Sequence, residues 1–142
     1  MSCTEDTLGF LLADVSRLMR QTYQRHLSAS DLTLSQARAL VYVARHEGLR
    51  QIELAELLEI QAMTLARLLD QLVAQDLVER RPDAHDRRAF RIHLRPAAHP
   101  QLQRISETAE LVRAQAMQSL APADQQALMN ALQHLRSNLS TR

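Results

Sequence analysis

Six arginines fall in the eighteen residues from Val78 to Arg95: Arg80, Arg81, Arg87, Arg88, Arg91 and Arg95. Set against Glu79, Asp83 and Asp86, they give this segment a balance of +3 in a chain of net charge +1, so the remainder stands at −2. A guanidinium is a rigid fork of donors that fits phosphate oxygens and the acceptor edges of bases. Such a concentration is chemistry for a polyanion, although the overall charge alone would not suggest one. Every basic residue is arginine and none is lysine. A demand for forked donors and a compositional bias both account for that.

Groups suited to catalysis are not arranged for it. His26, His46, His85, His93, His99 and His134 form no His-Glu-x-x-His array, and the chain has no nucleophile elbow, phosphate-cradling glycine loop or cysteine pair. An enzyme is not expected, nor is a cofactor. His85, His93 and His99 share one region, which leaves a metal-responsive regulator open as an alternative, but no ligand spacing singles them out. Cys3 has no partner for an internal disulfide and precedes the first periodic segment, so it reads as a bystander, with a sensor as the alternative.

The elements that must position the arginines follow from periodicity. With 142 residues, 46% hydrophobic, two glycines and four prolines, the chain reads as one mainly α domain. Leu8, Leu11, Leu12, Val15, Leu18, Met19 and Tyr23 make a helical stripe too wide for a solitary helix. Thr33 with Gln36 has capping-box spacing, so a helix begins there, with Ala37, Leu40, Val41 and Ala44 inward and Gly48 after its end. A short helix carries Ile52, Leu54, Ala55 and Leu58 on its apolar face. Another, from Gln61 to Gln75, turns Leu65, Leu68, Leu69 and Leu72 inward, and so tight a connection makes the pair a helix-turn-helix candidate.

The second helix of that pair then shows Met63, Arg67, Asp70, Gln71 and Ala74 on its far side, with Thr64 at the border. Recognition helices enter the major groove by such a face, and Arg67 leads it as a base or phosphate contact. Next the period changes to that of strands. Leu77 and Val78 start one arm, and Phe90, Ile92 and Leu94 alternate with Arg91 and His93 on the other, so the polar loop from Pro82 to Arg88 is expected to project into solvent as a wing. Arg88, with Arg87 beside it, is placed to enter a minor groove, with Asp86 holding its guanidinium. Arg80, Arg81 and Arg91 read as phosphate-facing support.

After Pro96 and Pro100, Leu102, Ile105, Ala109, Val112 and Ala116 repeat nearly as a coiled-coil seam that wants another helix. Pro122 opens a last helix, with Asp124 in its first turn and Leu128, Leu132, Leu135 and Leu139 as its stripe. No apolar run reaches the roughly 20 residues of a membrane span, and the N-terminus is too acidic for an export signal, so a cytoplasmic location is expected.

The ordered runs Leu54-Ala55-Glu56-Leu57-Leu58, Thr64-Leu65-Ala66-Arg67-Leu68-Leu69-Asp70-Gln71-Leu72, Leu77-Val78-Glu79-Arg80 and Asp86-Arg87-Arg88-Ala89 resemble the MarR family, nearest its SlyA-like branch. The resemblance implies one MarR-type domain over residues 1–142, with dimerisation helices at 8–29 and 97–142 and a winged helix-turn-helix lobe at 33–95. It further implies a bacterial homodimer on a pseudo-palindromic double-stranded operator at the nucleoid. Repression, with release by a small anionic or aromatic effector or by oxidation, is the usual role. Gly9 stands where the peroxide-sensing branch has its cysteine, and Ala37 where an aromatic residue is frequent. For a bound anion, Arg17 on the first helix is the expected charge partner, with a plain salt-bridging or interface arginine as the alternative. A helical protein-interaction dimer is the remaining alternative to a DNA-binding regulator.

Overall fold

The computed structural model describes residues 4–27 and 32–140, so Cys3 lies outside the described residues. Its elements run α1 (Leu8–His26), α2 (Leu34–Arg45), α3 (Gln51–Leu58), α4 (Ala62–Ala74), β1 (Val78–Pro82), β2 (Phe90–Leu94), α5 (Ala98–Ala116) and α6 (Pro122–Leu139). The chain is mainly α, with one antiparallel hairpin as its sheet.

Helix α2 begins where the capping box predicts. Thr33 Oγ1 accepts from the Gln36 backbone N–H at 3.1 Å, and Gln36 Oε1 accepts from the Thr33 N–H at 3.0 Å. The helix is central, packing on α3, α4, β2 and α5. Its buried face is therefore broader than one stripe: Gln36, Ala39 and Val43 are buried with Ala37 and Leu40, whereas Val41 and Ala44 are only half-buried. In α3, Leu54, Ala55 and Leu58 are buried, but Ile52, expected beside them, is 61% exposed. Two positions turn a helix by about 200°, which points Ile52 away from Leu54.

The turn between α3 and α4 spans three residues. Glu59 adopts the left-handed conformation (φ 55°), its N–H reaching the Glu56 carbonyl and the Ile60 N–H the Ala55 carbonyl, both at 3.1 Å. This Schellman closure satisfies the last carbonyls of α3 and turns the chain at once into α4. The same device ends α4: Asp76 is left-handed (φ 62°) and the Leu77 N–H meets the Leu72 carbonyl at 3.0 Å. Each non-glycine residue in that conformation costs about 1 kcal/mol, offset by burial of Leu72 and Leu77 behind the turn.

The core lies in this central lobe. Leu40, Leu54, Leu65, Leu69, Leu72, Val78 and Ile92 have essentially no exposed surface, each contributing about 1.5–3 kcal/mol of apolar burial. The hairpin pairs Val78 with Leu94, Arg80 with Ile92 and Pro82 with Phe90. On its other side β2 is bordered by residues 48–50: the Gly48 N–H donates to the Ile92 carbonyl at 2.9 Å, the Ile92 N–H to the Leu49 carbonyl at 3.0 Å, and Arg50 bridges to Arg91. Gly48 takes φ 88°, open to glycine, to leave α2 and run along the strand.

The outer helices contrast with this. Helix α1 packs on α5 but contributes no buried residue, and Leu8, Phe10, Leu11, Leu12, Val15 and Leu18 are all at least 43% exposed. Helix α6 starts with Pro122 in its first turn and likewise buries nothing, Leu139 being 87% exposed. Among the described residues, no helix is long and apolar enough to cross a membrane.

Candidate nucleic-acid interface

Packing of Leu65, Leu69 and Leu72 fixes the rotation of α4 and turns Met63, Thr64, Arg67, Asp70, Gln71 and Ala74 outward. Met63, at 71% exposure, and Thr64 lie in the first turn, whose backbone donors have no side-chain cap. Among the described residues no hydrogen bond or ion pair engages the Arg67 guanidinium. Gln71, one turn further on, accepts at Oε1 from Gln36 Nε2 at 2.8 Å.

Two arginines expected to face phosphates are engaged within the lobe. Arg80 reaches from β1 to Asp70 Oδ1 at 2.7 Å, the Ala66 carbonyl at 3.1 Å and Gln51 Oε1 at 3.1 Å, tying the hairpin to both helices of the helix-turn-helix. Arg91 donates to the Gly48 carbonyl at 2.7 Å and to Asp83 Oδ2 at 2.8 Å. Arg81 pairs with Glu79 at 2.6 Å, and Glu79 also receives Arg95 at 3.1 Å, so Arg81 first and Arg95 after it hold the Glu79 carboxyl below its usual range.

The wing is anchored at its root. Asp83, expected in a solvated loop, is 5% exposed. Its Oδ1 accepts from the backbone N–H groups of His85 (2.8 Å) and Asp86 (3.1 Å), and its Oδ2 accepts from Arg50 Nε (3.1 Å) and Arg91 Nε. The His85 N–H and the two guanidinia push its carboxyl down to about 2 against the opposing effect of burial. Asp86 also differs from expectation: its Oδ1 accepts from the backbone N–H of Arg88 at 2.9 Å, closing a local turn, and does not hold the Arg88 guanidinium. Arg87 and Arg88 are exposed, and among the described residues their guanidinia have no partner. Arg50 and Asp83 were not picked out as functional residues by their spacing. Their pairing spans 33 positions, and the only local signal was an aspartate followed by two residues of tight turn.

A second feature lies between the lobes. An open pocket of about 260 Å³ lies among α1, α2 and α5, with Tyr23, Val41, Tyr42, Ile105 and Val112 on its apolar walls and Arg20 and Arg38 among its lining. Among the described residues the buried Tyr23 hydroxyl has no hydrogen-bond partner, and burial raises its pKa. Arg17 does not line this cavity; it pairs with Asp14 on its own helix at 3.3 Å. His85, His93 and His99 are not gathered into a ligand set: among the described residues no three or more His, Cys, Asp or Glu side chains cluster as a metal would need.

Residues 30–89, which span α2, the helix-turn-helix and the wing, match the family model described as MarR family. Over those residues the chain is similar to the MarR family. Its fold agrees along nearly the whole length with wild-type MarR (apo form) from E. coli, at a TM-score of 0.81 and 22% identity over 92% of this chain and 97% of that one. A mutant MarR from E. coli complexed with operator DNA matches at 0.71 and 22%, covering 90% and 92%. The transcriptional regulator SlyA matches at 0.75 and 23%, covering 95% of each chain. MarR and SlyA thus stand at like distances in identity, and what this chain shares with them is the winged-helix fold.

Proposed function

We propose that this chain is a sequence-specific DNA-binding transcriptional regulator, a repressor, that holds a pseudo-palindromic operator as a homodimer and releases it to a small ligand. The observation that carries this reading is the division among the arginines. Arg80 and Arg91 are engaged internally, whereas Arg67 on α4 and Arg87 and Arg88 on the wing are exposed and unengaged among the described residues. In this reading α4 lies in the major groove, with Met63, Thr64, Arg67 and Gln71 towards the bases and phosphates, and Arg88 enters the flanking minor groove. Asp86 serves by shaping the turn that presents Arg88. The structural likeness to a MarR seen with operator DNA supports it.

The apolar stripes of residues 8–29 and 97–142 support the homodimer, since α1 and α6 bury no residue within one chain. The cavity between the lobes supports a small effector. Its walls suit an aromatic or aliphatic body, the unpartnered Tyr23 hydroxyl can donate to an oxygen, and Arg20 and Arg38 rather than Arg17 are the cations beside it. In the test, duplexes selected from random sequence by the wild-type protein are titrated with Arg67→Ala and Arg88→Ala. Each should bind at least about tenfold more weakly while sedimentation still finds a dimer. Unchanged affinity in both variants would overturn the assignment of the interface.

A further inference from the structure

Gln36 is one of two buried polar side chains in the described chain, and its two ends are not interchangeable. One end faces the backbone N–H of Thr33 at 3.0 Å. A backbone N–H can only donate, so that end of the amide is the oxygen and the other is the NH2 group. The NH2 end lies 2.8 Å from the side-chain amide of Gln71. A donor there must meet an acceptor, so the near atom of Gln71 is in turn its oxygen. The capping box at the start of α2 therefore fixes, through two successive amides, which way Gln71 is turned on the exposed face of α4.

We propose that Gln36 is a positioning residue for DNA recognition: by donating to the oxygen of Gln71 it turns that oxygen towards α2 and the NH2 group outward. This inference rests on the reading of α4 as the DNA-facing helix. A free glutamine reads adenine by offering a donor and an acceptor together. Gln71, with its oxygen turned towards Gln36, instead presents its NH2 group to acceptors: a phosphate oxygen or the O6/N7 edge of a guanine. It lies one helical turn beyond Arg67, so the two present a run of donors along one side of the helix.

Gln36→Glu tests this within the same shape. A glutamate satisfies the Thr33 N–H as well as glutamine does, since both are native to the capping box, but its other oxygen requires Gln71 to turn its NH2 inward and show its oxygen outward. Binding is measured on duplexes selected from random sequence by the wild-type protein, in a cycle with Gln71→Ala. The expected result is a loss of about tenfold for Gln36→Glu in the wild-type background, the size of one misdirected hydrogen bond, shrinking to within about twofold once Gln71 is alanine. A loss on every duplex identifies a phosphate partner, and a loss confined to duplexes with a guanine at one position of each half-site identifies a base edge. A loss of equal size in both backgrounds, or none in either, overturns the proposal. Should Gln36→Glu fail to fold, Gln36→Met releases Gln71 without adding charge: its effect on affinity or on the selected base must also vanish with Gln71→Ala, and persistence there is the overturning result. If the wild-type protein selects no duplex at all, it is the DNA-binding reading that fails.

Discussion

The carboxylate of Asp83 accepts the Nε–H of Arg91 at 2.8 Å from a position with no exposed side-chain surface, joining the first residue of the wing turn to the strand that leaves it. Arg50, at the start of α3, reaches the same oxygen from the other side. The wing is thereby fastened to the helix-turn-helix by a buried anion between two cations. One consequence is geometric, since the exposed tip carrying Arg87 and Arg88 is held at a defined distance from α4.

Another consequence is a dependence on acid. A carboxyl lowered in the folded protein from its ordinary 3.8 to about 2 contributes stability that is complete above the ordinary value and is lost as pH falls through about 2. Asp83→Asn keeps an acceptor for the His85 N–H but turns an NH2 group towards two guanidinia. The variant should be less stable than the parent in urea at neutral pH, with the gap closing between roughly pH 4 and pH 2. A gap of the same size at both ends of that range would contradict this account of the wing root.

Arg80 and Arg88 should separate in salt titrations. Arg80→Gln removes three contacts to α3 and α4, which should cost about 1–2 kcal/mol of folding stability and leave the slope of log affinity against log salt unchanged. Arg88→Ala should leave the melting temperature alone and reduce that slope by about one per subunit. The opposite pattern would return Arg80 to the phosphates.

Leu11 and Leu18 lie seven positions apart on α1 and are 46% and 50% exposed in the single chain. Replacing both by glutamate places charge in the proposed subunit interface without touching the core. Sedimentation at about micromolar concentration should then show a monomer in place of a dimer, with the helical circular dichroism of the central lobe preserved.

Glu59 sits at φ 55° in the turn of the helix-turn-helix. Glu59→Gly relieves that conformation at the cost of a freer unfolded chain, and the net should be a gain of up to about 1 kcal/mol. Thermal unfolding measures it, and a loss would show that the side chain has a role the turn does not reveal.

What the sequence made legible was set by short-range rules. Thr33 and Gln36 announced the start of α2 because a capping box is complete within four residues, and the alternation of Phe90, Ile92 and Leu94 announced β2 because a strand has two faces. The outward face of α4 followed from its four leucines, Leu65, Leu68, Leu69 and Leu72. The roles of Arg80 and Arg91 did not follow, because a guanidinium offers the same donors to a phosphate as to a carbonyl, and their partners Ala66 and Gly48 lie 14 and 43 positions away. Asp83 looked solvated because its neighbours are polar, yet the hairpin folds it beneath Arg50. Arg17 and Arg20 lie on one helix less than a turn apart, and periodicity had no means of telling which of them borders the cavity.

Gly48 has an effect that extends past the molecule itself. By bringing residues 48–50 alongside β2, it leaves that strand with no open edge on which another chain could add in register. The hairpin's remaining free margin is β1, which carries Arg80, Arg81 and, at its end, Pro82. Charge and a missing donor both discourage strand addition there. A protein whose outer helices expose so much apolar surface thus carries a sheet that resists polymerising.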